Sequence, residues 1–504
     1  MIRRDFLKAS AQVAGAFGIV GSGNSALASG VPAAPCSLPF PSVRDVTKHV
    51  AEFVVGAKYT DLPVEVVELG KKSILDGLGL ALAGSTAETA QIIHTYMESL
   101  GCSAGKVTVL GTGKKLPLRF AAFANGVAIH VDDFDDTQLA VQKDRVYGLL
   151  VHPTVPVLPA VLGCAELNLT SGKDLMLAYH VGVEVECKIA EAIAPRSYED
   201  GFHSTGVCGV FGSAAGVAKI REFTVERTQT AFGVAASNSA GLRENFGTMM
   251  KPFQAGHAAE SGVVAADFAE QAWTAATSIF EAERGFFHAY GGSYSPDSII
   301  GKLGSPWTFT APGISIKPFP SGSLTHPGMT ELLRMIRADH IRPEDVQEVR
   351  VGTNHSNVNT LIRHNPKTGL EAKFSMEYSM AVLLVHGKAG LEEYTDAVVN
   401  QPAIQDMIKR IVFYVDPEAE GAGFDKMTTI IKLTLKNGNV LTGRQDFGKG
   451  SPANPMSFDE VAEKFHGSAD YAKWPKSKST KIVDFVRALE QATDLRELTA
   501  LCSK

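Results

Sequence analysis

Cysteine is scarce in this 504-residue chain. The six present, Cys36, Cys102, Cys164, Cys187, Cys208 and Cys502, form no C-x-x-C pair and no zinc spacing. An iron–sulfur hydro-lyase, which needs three or four clustered thiolates, is thereby excluded. Most of the six read as buried small hydrophobes. A basic excess is missing too. Lys and Arg number 48 against 54 Asp and Glu, the net charge is −6, and no basic tail or aromatic–basic interleaving occurs. Nucleic acid is therefore not an expected partner. Beyond residue 30 no apolar run reaches the length of a membrane span, so no membrane insertion of the mature chain is expected. Repeats and long low-complexity segments are absent. What remains, 45% hydrophobic and 20% charged, is globular composition with room for two domains.

The N-terminus differs from the rest. Arg3-Arg4-Asp5-Phe6-Leu7-Lys8 precedes a mild apolar stretch, Ala9 to Val20, and then Ala26-Leu27-Ala28. A charged region, a short apolar region and a small-residue cleavage site make an export signal over residues 1–28. The paired arginines resemble a twin-arginine signal, which predicts a periplasmic protein.

From about residue 45 to 305 the chain is rich in Ala, Gly and Leu with helical periodicity. After Asp61-Leu62-Pro63, the residues Val67, Ile74, Leu75, Leu78 and Leu82 fall on one stripe that Gly84 ends. Small residues over 209–218 and 258–266 predict closely packed helices. The texture changes near 307. Val346 to Val351 alternates, Ile411 to Val415 is a short apolar run, and Ile431, Leu433 and Leu435 alternate with polar residues before the hairpin turn Asn437-Gly438. Helical patterns at 327–337 and 375–387 lie between these strands. After Gly450 helices return, with a capping box at Ser457 and Glu460 and an amphipathic helix expected from Ile482 to Leu501. The fold expected is mainly α. It has a large helical domain (40–306, resumed at 451–504) and an inserted smaller α+β lid (307–450).

Residues 130 to 137 read His-Val-Asp-Asp-Phe-Asp-Asp-Thr, four carboxylates within five positions after a small, apolar helical run that starts at Pro117. A helix continuing through them would put Asp133 and Thr137 on one face. At a helix C-terminus the carboxylates meet the dipole's negative end and one another, and both effects are expected to raise their pKa values. Such a cluster handles a proton, a metal or a substrate hydroxyl; the bland alternative is a solvated acidic turn. Further segments set a His or Lys at a Gly or Pro break: His152-Pro153, His203 within Gly201–Gly206, Lys251-Pro252, Lys317-Pro318 and His326-Pro327. Lysines bind carboxylates, histidines and aspartates move protons, and fixed positive charge stabilises the anion formed beside a carboxylate. A magnesium–diphosphate reading of the acidic cluster needs a second downstream motif, and Asn238 to Glu244 has the wrong spacing for it.

In order along residues 45 to 465, these segments resemble the MmgE/PrpD family. They include Asp76-Gly77-Leu78-Gly79, Asn125 to Thr137, His152-Pro153, Gly201 to Gly206, Lys251 to Gly262, Lys317-Pro318-Phe319-Pro320 and Asn454-Pro455-Met456-Ser457. The resemblance implies a homodimer, no required metal or cofactor, and a small polycarboxylate substrate. It implies catalytic roles for Asp133, His152, His203 and Lys251, and substrate-binding roles for Thr137, Lys317 and Tyr378. The stretch from Thr137 to His152 is longer than in the family's dehydratases and decarboxylases, and its Arg145 is a further candidate for a carboxylate. The function expected is a cofactor-independent lyase, dehydratase-like, with decarboxylation or epimerisation of a related acid as alternatives. An exported carboxylate-binding protein without catalysis is the alternative from another class.

Overall fold

The computed structural model describes residues 40–102, 104–142, 145–423 and 426–504, with backbone alone for 139–142 and 145–150. The export signal expected at 1–28 lies outside the described residues. The fold is mainly α: helices make up 59% and strands 8%. No helix among the described residues is long and apolar enough to cross a membrane.

The helix Val64–Gly84 follows Pro63, whose fixed φ suits a helix start. Every residue from Ser73 to Gly84 is buried, so this helix runs through the core, not along its surface. The first core takes in Ile74, Leu78, Val157 and Phe211, and from the far end of the chain Phe465 and Ile482. A second core holds Met329, Val349, Met380 and Leu433. Its sheet has four strands in the order Ile411–Val415, Val346–Thr353, Thr429–Leu435, Val440–Gln445. The first pair is parallel and the other two are antiparallel, the last joined at Gly438, whose φ of 89° explains the glycine. The helices His326–Asp339 and Met376–His386 and the capping box of Phe458–Tyr471 lie where the sequence places them.

One expectation needs correction. The amphipathic segment from Ile482 to Leu501 is not one helix: Lys476–Arg487, a single turn Leu489–Gln491 and Arg496–Leu501 follow one another. Ile482, Val486, Leu489, Leu495 and Leu498 are nonetheless all fully buried, so the apolar rhythm survives the breaks. The stretch between Thr137 and His152 holds an antiparallel hairpin, Gln138–Gln142 against Arg145–Val151.

One crossing positions the chemistry. The helix Leu118–His130 meets Met250–Glu270 at two glycines, and a Cβ on Gly126 would lie 2.8 Å from the Gly256 Cα. Two large residues there would hold the backbones apart. The approach brings Lys251, one turn before Gly256, onto the C-terminal end of the first helix. Gly126→Ala should therefore destabilise the chain by about 1–3 kcal/mol. Denaturant unfolding would show it as a lowered midpoint at unchanged slope, and an unchanged midpoint would mean that the crossing tolerates a wider spacing.

Candidate active site

The acidic run is not helical. The helix ends at His130, and Asp133 takes the left-handed conformation (φ 52°), which Asp tolerates better than most residues. The shared helical face expected for Asp133 and Thr137 does not exist. Instead the loop folds back, and Thr137 exchanges two backbone hydrogen bonds of 2.8 Å with Ser315. That bridge sets Lys317, two residues on, above the loop.

Asp133 is the meeting point. Lys251 Nζ lies 2.8 Å and Lys317 Nζ 3.2 Å from its Oδ1, and Lys317 also donates to the Asp133 carbonyl at 2.7 Å. Burial alone would raise the Asp133 pKa, but the two ammonium groups hold it well below the usual carboxylate range. Burial pushes Lys317 down, against the pull of Asp133. Lys251 Nζ also donates to His130 Nε2 at 3.0 Å.

Asp135 organises the imidazoles. Its Oδ1 lies 2.9 Å from His130 Nδ1 and its Oδ2 2.8 Å from His152 Nδ1. Burial works against its charge, and the two imidazole partners outweigh it, leaving Asp135 well below its ordinary value. His152 Nδ1 also faces the Asp136 carbonyl at 3.1 Å. With acceptors on this side, Nδ1 carries the proton and Nε2 keeps its lone pair. His203 has the same tautomer. Its Nδ1 donates to Gln254 Oε1 at 2.7 Å, and Gln254 is oriented by donating its own N–H to the Leu242 carbonyl. The Nε2 atoms of His152 and His203 are buried with no partner in the protein, and His152 Nε2 is 3.9 Å from Asp133 Oδ1. The His130 ring lies 4.4 Å from that of His152 and 6.1 Å from that of His203, so the three form one cluster.

Electrostatically the carboxylates divide. The expected rise in pKa fails for Asp133 and Asp135, which have cationic or N–H partners. It holds for Asp136, pushed up to about 7 by burial while Thr154 Oγ1 donates to it at 2.6 Å. Asp76, buried beside Lys464 at 2.6 Å, is raised to about 6, again chiefly by burial. The imidazoles move the other way. Burial lowers His130, takes His152 to about 4 and drives His203 well below its usual value, so all three are neutral near pH 7.

The structure thus brings together Asp133, His152, His203, Lys251 and Lys317. Thr137 is adjacent, its hydroxyl buried without a partner in the protein. Tyr378 is not brought to the cluster: it is buried in the second core, its hydroxyl donating to the Glu393 carbonyl. The Arg145 side chain lies outside the described residues. His130, Asp135 and Gln254 are additions. His130 opens the acidic motif, and nothing in the sequence marked it as a member of the site.

A cleft of about 420 Å³ opens onto the cluster, lined by His130, Asp133 and Lys251 and continuing past Thr248 to Thr89 and Lys373. His130, Asp133, Asp135 and His152 each offer a donor atom within 4.8 Å of the others, so these residues could gather round a small cation. Two ammonium groups already share Asp133 Oδ1, and both imidazole Nδ1 atoms engage Asp135. That arrangement suits an anionic guest better.

The family follows. Residues 48–298 match the MmgE/PrpD N-terminal domain and residues 319–491 the MmgE/PrpD C-terminal domain. The chain belongs to the MmgE/PrpD family. Among its relatives, cis-aconitate decarboxylase of Homo sapiens is 27% identical over 469 residues, covering 91% of this chain and 95% of that protein. Cis-aconitate decarboxylase of Aspergillus terreus is 25% identical, covering 90% and 95%. The mitochondrial 2-methylcitrate dehydratase of Yarrowia lipolytica is 23% identical, covering 79% and 78%.

The neutral imidazoles have a measurable consequence. In the unfolded chain His152 takes its proton near 6.5, and in the folded chain only near 4. Between those values the unfolded state binds more protons. The contribution of His152 to stability is therefore complete above pH 6.5 and is lost as pH falls toward 4. Nitrogen NMR of the ligand-free protein should give His152 a midpoint near 4, and a midpoint near 6.5 would contradict the burial argument.

Proposed function

We propose that this protein is a cofactor-independent lyase acting on a small polycarboxylate. The observation that carries the reading is the pair of ammonium groups at Asp133 in the same buried cluster as two imidazole Nε2 atoms that have no partner in the protein. Lys251 and Lys317 receive a substrate carboxylate by charge-assisted hydrogen bonds. His152 and His203 are the proton carriers, neutral and basic when the site is empty. A polyanion bound beside them raises their pKa values, so that one can hold a proton at Nε2 for delivery.

Decarboxylation is the first reading. The C–COO⁻ bond breaks, CO₂ leaves, the electron pair moves onto the carbon framework beside a remaining carboxylate, and a protonated histidine supplies the proton to carbon. The lysines stabilise the charge as it spreads onto that carboxylate. Dehydration uses the same groups: one imidazole removes the proton next to a carboxylate, and a second group protonates the departing hydroxyl. The sequence alone favours dehydration; the relatives matched over nine-tenths of this chain and named as decarboxylases shift the preference.

Proton NMR in D₂O with citrate, 2-methylcitrate and cis-aconitate separates the outcomes through new vinyl signals, deuterium incorporation or changed stereoisomers. His203→Ala and Lys251→Ala should each lower turnover by about 10²- to 10⁴-fold without unfolding the chain. Activity should persist in EDTA. Full activity in both variants would refute the site, loss of activity in chelator restored by Mg²⁺ would favour a metal mechanism, and tight binding without turnover would favour a carboxylate-binding protein.

A further inference from the structure

Resting on the reading of the site as a polycarboxylate lyase, we propose that the outer part of the same cleft holds a second carboxylate subsite, formed by Lys373, Thr89 and the N-terminus of the helix Glu88–Ser99. None of these residues belongs to the reacting cluster, and they come from segments packed on different hydrophobic cores. Lys373 follows the short helix Gly369–Ala372 beside the second core, whereas Thr89 lies in the first turn of a 12-residue helix.

Three observations converge on one lining. Thr89 is 8% exposed, and its Oγ1 is buried without a hydrogen-bond partner in the protein. A hydroxyl in that condition lacks the partner that buried polar groups nearly always have. The helix it opens has Ala87 at its N-cap and no side-chain cap, so its leading N–H groups present partial positive charge to the cleft. Lys373, also 8% exposed, brings a full charge to the same cleft. Its ammonium donates to the Asp132 carbonyl and lies 3.6 Å from the Asp132 carboxylate, a looser pairing than the 2.8 Å between Lys251 and Asp133. Glu88 also lines the cleft but is exposed, where solvent screens its repulsion.

An ammonium, a hydroxyl donor and an uncapped helix N-terminus together match the needs of a carboxylate. The ligand class is a polycarboxylate long enough for one carboxylate to meet Lys251 and Lys317 while another reaches Lys373 and Thr89. Ligands with only the inner carboxylate would bind without this contact. The subsite thus selects by length and charge, and its ligand joins the two cores.

Calorimetric titration of the full chain with tricarballylate, an unreactive tricarboxylate, and with the shorter succinate tests this. Lys373→Met should weaken tricarballylate binding by about 10- to 100-fold, and Thr89→Val by about 3- to 10-fold. Succinate binding should change little in either, and Lys373→Arg should restore most of the tricarballylate affinity. Unchanged tricarballylate binding in Lys373→Met and Thr89→Val would overturn the subsite while leaving the lyase reading intact. Equal weakening for both acids would also overturn it, by showing that the residues act on the inner site or the fold. A wild-type protein that binds neither acid would refute the polycarboxylate reading and the subsite with it. Should Lys373→Met not fold, Thr89→Val decides the matter: unchanged tricarballylate binding in it overturns the subsite.

Discussion

Two lysines share one carboxylate oxygen, and most of the site follows from that. Lys251 arrives on the helix Met250–Glu270, Lys317 from an irregular segment 184 residues away from Asp133 in sequence. Like charges so close in a buried place repel strongly unless an anion lies between them. Asp133 is that anion, held there by a loop that turns back at a left-handed residue and is tied to Ser315. Asp135 balances the local charge, but it faces the imidazoles and leaves the lysines to Asp133. The cationic side of the chamber is thus matched to a guest that brings carboxylates of its own.

The histidines give the chamber its proton chemistry. Each has its Nδ1 fixed by an acceptor, and each is too buried to be charged when the site is empty. Neutral imidazoles of one tautomer, with Nε2 free of any partner in the protein, are bases. In the reaction proposed above, the acid would arise when a bound polyanion raises the imidazole pKa values, so that binding and protonation would be linked. Asp136 and Asp76 lie behind this cluster with raised pKa values; they respond chiefly to burial and are not paired with the two site lysines.

Local signals were legible in the sequence. The Val64–Gly84 helix, the Ser457–Glu460 capping box and the Asn437-Gly438 hairpin depend on neighbours a few residues away. The acidic motif and the His and Lys breaks marked the site, because such groups at the ends of apolar helices conflict with stability alone. What was not legible came from distant partners. The pKa of Asp133 is set by lysines 118 and 184 residues along the chain, and no local pattern carries their approach. The end of the helix at His130 has no glycine or proline to announce it. His130 was legible as a residue but not as a member of the site, since its role depends on where Lys251 lands. Tyr378 rested on resemblance alone, and its hydroxyl is engaged inside the second core.

The most direct test is Asp133→Asn, followed by thermal unfolding with and without saturating tricarballylate. Removing the anion between two buried ammonium groups should destabilise the ligand-free protein by about 3–5 kcal/mol. A polycarboxylate supplies the missing negative charge, so the ligand-induced rise in Tm should be larger in the variant than in the wild-type protein. An unchanged ligand-free Tm, or a rise no larger than in the wild type, would contradict the claim that these lysines are the carboxylate-binding groups and Asp133 their resting counter-ion.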